Sequence, residues 1–148
     1  MVNKNLKLEN QLCFPVYALS RQITNLYRPY LDEFGLTYPQ YLVLLVLWEN
    51  ETVTVKRLGE LLWLDSGTLT PLLKRMEANG VVERKRSSKD ERIVDVLLTD
   101  KGKKLEAQAE KIPLAIKKEL KMSDEQLIKL RKKIYKILNI AGKCDVEE

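Results

Sequence analysis

Two groups of residues in this chain have the types and spacing to do chemistry. The first is a thiol near the start. Cys13 lies in Leu8-Glu9-Asn10-Gln11-Leu12-Cys13-Phe14, and Tyr17 follows one helical turn later on the same side. The helix start expected beside Cys13 offers partial positive charge, which favours thiolate over thiol and so favours reactivity. The same pattern also suits a small inert core side chain, because a lone cysteine among apolar residues packs like one. The chain has two cysteines and no histidine. Ser-His and Cys-His catalysis are therefore excluded, a zinc site is disfavoured, and two thiols are too few for a disulfide scaffold. No metal and no cofactor is expected.

The second group runs from Leu64 to Leu98 and offers charge and hydroxyls instead of a nucleophile. Asp65 or Ser66 can cap a helix, because a short side-chain oxygen accepts from the open amides of the first turn. Leu69, Leu72, Leu73 and Met76 form one apolar stripe, and Asn79-Gly80 ends the helix. The opposite face carries Gly67, Pro71, Lys74 and Ala78, flanked by Thr68, Thr70 and Arg75. Small residues, hydroxyls and two cations suit a helix that sits deep in a DNA major groove. A hairpin follows: Val81-Val82 opens a strand, Ser87 to Glu91 turns it, and Ile93 to Leu98 returns. Arg84, Lys85, Arg86 and Lys89 charge its far end. Each part alone reads as solvated surface. The order helix, glycine, strand, basic tip, strand is what points to nucleic acid. Of the chain's net charge of +5, much gathers here: Lys74 to Arg92 holds seven basic and four acidic residues.

These groups need elements to hold them. With 148 residues the chain has room for one domain with a real core. Leu12, Val16, Leu19, Ile23, Leu26 and Tyr30 predict a first helix to about Glu33. Pro15 either starts its regular part or kinks it. Thr37 caps a second helix, with Pro39 in its first turn, and Leu42 to Trp48 is apolar almost all round, as a central helix would be. Thr54 caps a short helix whose Val55, Leu58 and Leu62 can pack under the basic one. Thr99 caps a fifth helix through Leu105, Ile112 and Ile116, which Pro113 should kink or distort. Ser123 and Gln126 form a capping box before a last helix with Leu127, Leu130, Ile134, Ile137, Leu138 and Ala141 on one stripe. The first, fifth and last helices carry more apolar surface than a small head can cover, so they are expected to form a helical dimer interface. No run is long and apolar enough to span a membrane, and the first residues lack the apolar core of a signal peptide. A reducing cytoplasm is the expected location.

Asp65-Ser66-Gly67-Thr68-Leu69-Thr70-Pro71-Leu72-Leu73-Lys74-Arg75-Met76, with Lys89-Asp90-Glu91-Arg92 and Leu98-Thr99, resembles the winged helix-turn-helix of the MarR family of bacterial regulators. The resemblance implies a mainly α fold with a small β-hairpin wing in a single domain over residues 1–148. The winged helix-turn-helix would occupy about 37–98, and the dimerisation helices about 6–34 and 99–142. It implies a homodimer on a pseudo-palindromic double-stranded DNA operator, with recognition helices in successive major grooves and wing tips in the flanking minor grooves. Arg92 matches the family's wing arginine and Asp90 the acidic residue that orients it. A narrow minor groove concentrates negative potential and attracts an inserted guanidinium. Ser66, Thr68, Thr70 and Pro71 complete the candidate contacts, and Lys74, Arg75, Arg84, Arg86 and Lys89 are candidate phosphate ligands.

Leu8 to Phe14, Tyr17-Ala18, Ser20-Arg21, Tyr27 and Leu36-Thr37-Tyr38-Pro39-Gln40-Tyr41 are similar to the OhrR branch of that family, the organic-hydroperoxide sensors. That similarity implies that Cys13 is oxidised by an organic hydroperoxide inducer, that Tyr27 and Tyr38 hydrogen-bond its sulfur from the partner subunit, and that Tyr17 belongs to the same pocket. Within one chain, fourteen helical residues separate Tyr27 from Cys13 by about 21 Å. Some members of the branch resolve the oxidised sulfur with a second cysteine placed earlier than Cys144, which lies in an acidic tail here. A low-molecular-weight thiol is the working partner for that step. The leading reading is thus a repressor that releases its operator when Cys13 is oxidised. A second keeps the DNA-binding head but answers to small phenolic or lipophilic ligands without thiol chemistry. A third, a thiol peroxidase, lacks a histidine or a nearby resolving cysteine and is set aside, so no enzyme is expected.

Overall fold

The computed structural model describes residues 3–88 and 90–142. Lys89 and Cys144 lie outside the described residues. Two short 3-10 turns, Lys4–Leu6 and Leu8–Asn10, precede α1 (Cys13–Asp32), α2 (Tyr38–Asn50), β1 (Thr52–Thr54), α3 (Val55–Leu62) and α4 (Ser66–Ala78). The wing strands β2 (Val82–Arg86) and β3 (Val94–Leu98) come next, then α5 (Asp100–Ala109), α6 (Lys111–Leu120) and α7 (Asp124–Ala141). Backbone packing divides the chain into two compact units, one ending at Ile112 and the other beginning at Pro113.

The first unit is built around α2, which packs against α1, α3, α4 and α5 and against β1 and β3. Its all-round apolar character has that purpose: Tyr41, Val43, Leu44 and Leu47 are buried. The helix starts at Thr37, whose N–H donates to the Gln40 side chain at 2.9 Å. α1 begins at Cys13 and carries Pro15 within its first turn, where no amide is required, so the proline opens the helix without kinking it. Leu58 of α3 and Leu69, Leu73 and Met76 of α4 close the core beneath the two helices. The turn between them is tight. Trp63 ends α3 in the left-handed region at φ 57°, and a Cβ at Gly59 would stand 2.7 Å from the Leu64 carbonyl oxygen. That closeness sets the angle at which α4 leaves the head.

The sheet has three strands in the order β1-β3-β2, all antiparallel. The hairpin pattern anticipated β2 and β3; β1 is only three residues long and gave no alternation to read. Val53 faces Val96 across one pairing and Arg84 faces Val96 across the other. Ile93 lies before the returning strand, with its N–H on the Asp90 carbonyl at 2.9 Å as part of the tip. Val81 precedes β2: it ends α4 by donating to the Met76 carbonyl at 3.1 Å, a turn that Gly80 permits at φ 70°. The root of the wing is fastened to α5, where the Thr99 hydroxyl donates to the Gly80 carbonyl at 2.6 Å.

The helix expected from Thr99 through Ile116 is two helices. It breaks at Glu110, because Pro113 lacks the amide that the Ala109 carbonyl would take and its ring needs that carbonyl's space. Pro113 then occupies the first turn of α6. In the second unit, Ser123 and Gln126 exchange capping bonds of 2.9 and 3.2 Å at the start of α7. α7 buries none of its residues within the single chain, and Ile134, Ile137 and Ile140 are exposed.

Candidate nucleic-acid interface and thiol site

The basic face of α4 stands clear of the core. Gly67, Thr68, Thr70, Pro71, Lys74, Arg75 and Ala78 are exposed, as is Ser66. Asp65 caps the helix: its Oδ1 accepts from the Thr68 N–H at 2.8 Å and its Oδ2 from the Thr68 hydroxyl at 2.9 Å. Those two bonds hold the Asp65 carboxyl below the usual carboxylate range. The Thr70 hydroxyl donates to the Ser66 carbonyl at 2.8 Å. Both threonine hydroxyls thus give their proton to their own helix and present acceptor lone pairs outward.

At the wing tip Arg92 is held out into solvent, with its side chain 90% exposed. Asp90 aims it through bonds of 3.1 Å from Nε and 3.1 Å from Nη2, and takes the Arg92 backbone N–H at 3.0 Å. Arg92 in turn pulls the Asp90 carboxyl below its ordinary value. Arg86 is exposed at the end of β2. Arg84 departs from the solvent-facing cation that its place in a basic run suggests: it is turned against Glu77 of α4. A groove of about 730 Å³ runs between α3, α4 and the wing, with Ser66, Thr70, Arg84 and Arg92 among its lining. Four of the candidate residues, Ser66 and Thr70 on α4 and Arg84 and Arg92 on the wing, therefore edge one concave surface.

The thiol lies elsewhere. Cys13 is exposed at the first residue of α1. Around it Leu12, Phe14, Val16 and Leu19 are also exposed. Tyr17, one turn on, carries the Arg21 guanidinium over its ring at 5.6 Å from the centroid and accepts from Arg21 Nη1 at 3.5 Å. Tyr27 stands on the same unbroken helix. Fourteen residues at 1.5 Å each put it about 21 Å from Cys13.

Tyr27 and Tyr38 do come together. Their ring centroids are 4.8 Å apart, edge to face, and Tyr41 joins them at 5.8 and 6.3 Å. Burial, followed by the neighbouring phenols of Tyr38 and Tyr41, pushes Tyr27 up to about 12. Burial also raises Tyr38 and Tyr41. All three phenols are kept as neutral O–H donors at any physiological pH. Tyr41 continues the cluster to Trp48 at 6.2 Å, and the Trp48 indole donates to the Gly102 carbonyl of α5 at 3.0 Å. Sequence reading missed Tyr41 and Trp48 as parts of this cluster, although their seven-residue spacing on a helix was visible.

Comparison with known proteins bears on the fold and the family. The family model "Transcriptional regulator SarA/Rot" matches residues 25–109. The chain is 54% identical over 140 residues to the organic hydroperoxide resistance transcriptional regulator of Bacillus subtilis, covering 93% of this chain and 95% of that one. Among solved structures, reduced AbfR bound to DNA is similar with a TM-score of 0.75 at 39% identity, over 99% of this chain and 100% of that chain. Overoxidized AbfR bound to DNA gives 0.73 at 40%, over 95% and 96%; AbfR is from Staphylococcus epidermidis. A mutant MarR from E. coli complexed with operator DNA gives 0.76 at 26%, over 86% and 93%. No described helix is long and apolar enough to cross a membrane. With an exposed recognition helix, an arginine-tipped wing and these relatives, the chain belongs to the MarR/SarA family of winged helix-turn-helix regulators and is a DNA-binding transcriptional regulator, not an enzyme.

Proposed function

We propose that this regulator is a homodimeric cytoplasmic repressor that senses organic hydroperoxides at Cys13 and releases a pseudo-palindromic operator when that thiol is oxidised. One observation carries the reading. The exposed Cys13 thiol and the half-buried Tyr27 phenol sit about 21 Å apart along α1, with Tyr38 of α2 packed against Tyr27, so neither can serve the other within a chain. An antiparallel crossing of two α1 helices would set each Cys13 against the partner's Tyr27 and Tyr38. It would also cover the exposed Leu12, Phe14, Val16 and Leu19. Tyr17, at the rim of the same face, would help close the pocket.

The chemistry follows from a sulfur nucleophile beside two protonated phenols. The sulfur attacks the terminal oxygen of the hydroperoxide; an S–O bond forms as the O–O bond breaks. The terminal oxygen keeps its proton in the sulfenic acid, and the alkoxide takes up the one the thiol gives up and leaves as the alcohol, so sulfur loses the two electrons that the peroxide gains. A low-molecular-weight thiol then condenses with the sulfenic acid to a mixed disulfide and water. The adduct no longer accepts from Tyr27 and Tyr38 in the same geometry, and the α1 pair must shift. A dimer reads half-sites about 34 Å apart, so a few ångströms of movement costs contacts in both at once. On DNA, Ser66, Thr68, Thr70 and Pro71 would meet base edges. Lys74, Arg75, Arg86 and Lys89 would meet phosphates, and Arg92, aimed by Asp90, the minor groove.

The test is binding to a duplex that the wild-type protein selects from a random-sequence pool, with and without cumene hydroperoxide and a small thiol. Wild type should lose about 100-fold in affinity, near the upper end of ordinary coupling between sites, and Cys13→Ser should lose none. Release by Cys13→Ser with a phenolic ligand, and not with peroxide, would establish the ligand-responsive reading instead.

A further inference from the structure

We propose that Glu77 and Arg84 form a clamp that fixes the recognition helix against the wing, so that Arg84 is a positioning residue for operator recognition and not a phosphate contact. The proposal rests on DNA binding and stands apart from peroxide sensing. Glu77 lies in the last turn of α4, two turns on from Thr70 and therefore on the edge of the helix that borders the groove. Arg84 lies at the centre of β2. One carboxylate oxygen of Glu77 accepts the Arg84 backbone N–H at 3.1 Å. The other accepts Nε at 3.1 Å and Nη2 at 2.6 Å. The three bonds tie α4 to both the main chain and the side chain of the wing strand.

The setting separates this pair from the other charges. Its side chains are 25% and 37% exposed, whereas every other ion pair among the described residues leaves at least one partner more than half exposed. A shielded pair is screened less by salt than an open one. The side-on edge of the Arg84 guanidinium, Nε and Nη2, is held by Oε2, as the same edge of Arg92 is held by Asp90, but Arg84 is 25% exposed where Arg92 is 90% exposed and held out into solvent. Glu77 is also a carboxylate on a surface meant for a polyanion, which simple electrostatics would not place there. Its presence is explained if the angle between α4 and the wing matters more than the repulsion it adds.

That conflict of sign makes the test sharp. Glu77→Gln removes a negative charge, so a charge-only account expects tighter binding to every DNA. The clamp expects the reverse at the operator. Affinities and their salt dependence would be measured for wild type, Glu77→Gln, Arg84→Lys and Arg84→Gln on the pool-selected duplex and on an unrelated duplex, below the melting range of all four. Glu77→Gln and Arg84→Lys should each lose about tenfold on the selected duplex, the scale of one good directional contact, and keep the wild-type affinity for unrelated DNA and the wild-type salt slope. The double variant Glu77→Gln/Arg84→Gln should lose no more than either single one, since both remove the same interaction. Equal or tighter selected-duplex binding by Glu77→Gln would overturn the proposal. So would full retention by Arg84→Lys with Arg84→Gln lowering the salt slope by about one on both duplexes, the signature of a phosphate contact.

Discussion

The DNA-reading head and the start of α1 differ in how much of their order one chain supplies. In the head, several side chains are aimed by partners in the same chain: Asp65 caps α4, Glu77 holds Arg84, Asp90 holds Arg92, and Thr99 pins the wing root. At the start of α1, Cys13 sits in the open amid exposed apolar neighbours, and Tyr27 lies toward the other end of that helix with Tyr38 of α2 against it. α7, in its own unit, likewise buries nothing. The head is finished by folding. The thiol end is left open by folding, and on the proposed dimer that is where a small chemical change would have most leverage over geometry.

The largest expected break in this contrast comes from charging the apolar faces. Leu19→Glu or Ile137→Glu should turn dimer into monomer by sedimentation and cost a hundredfold or more in operator affinity, because two linked sites bind with a large effective concentration. The far-ultraviolet circular dichroism of the helical head should stay unchanged. Tyr27→Phe should sharpen the contrast: with the reduced protein binding DNA as before, its oxidation by cumene hydroperoxide should slow about tenfold, the scale of one lost hydrogen bond to the reacting sulfur. Asp65→Ala should lower the melting temperature, as a lost N-cap does, and weaken operator binding while leaving peroxide reactivity alone.

The smallest effects come from pH, and they divide along the same line. Tyr27 titrates higher in the fold than in the unfolded chain, so its contribution is complete below about pH 10 and is lost as pH rises toward 12. Asp65, Glu77 and Asp90 titrate lower in the fold. Their contributions are complete above the ordinary carboxylate range and are lost as pH falls through and below it. Phenolate absorbance should therefore report alkaline loosening of the ring cluster, and acid unfolding should begin in the head.

Legibility in the sequence followed the same divide. Caps, stripes and turn residues are local, so Thr54, Asp65, Gly80, Thr99 and Ser123 announced their elements. Asp90 and Arg92 are two residues apart, and their bond could be anticipated from the family pattern. Glu77 and Arg84 are seven apart on different elements, and nothing in a basic run says which cation is already engaged. β1 was invisible because three residues carry no period. The split at Glu110 was half legible, since Pro113 signalled trouble without saying that the helix would end before it. The pairing of Tyr27 with Tyr38 belongs to the fold of α1 on α2, and no spacing rule reaches it.

The chain has two tryptophans, and the contrast drawn above runs between them. Trp63 is 49% exposed in the turn of the helix-turn-helix, and Trp48 is half-buried, edge-on to Tyr41 with its indole proton engaged. An aqueous quencher should reach the first far more readily than the second, and light absorbed by the tyrosine cluster should funnel to the second. The molecule thus carries two native optical labels, one for the arrival of a duplex and one for disturbance among the phenols, and removing either indole by Trp→Phe isolates the signal of the other.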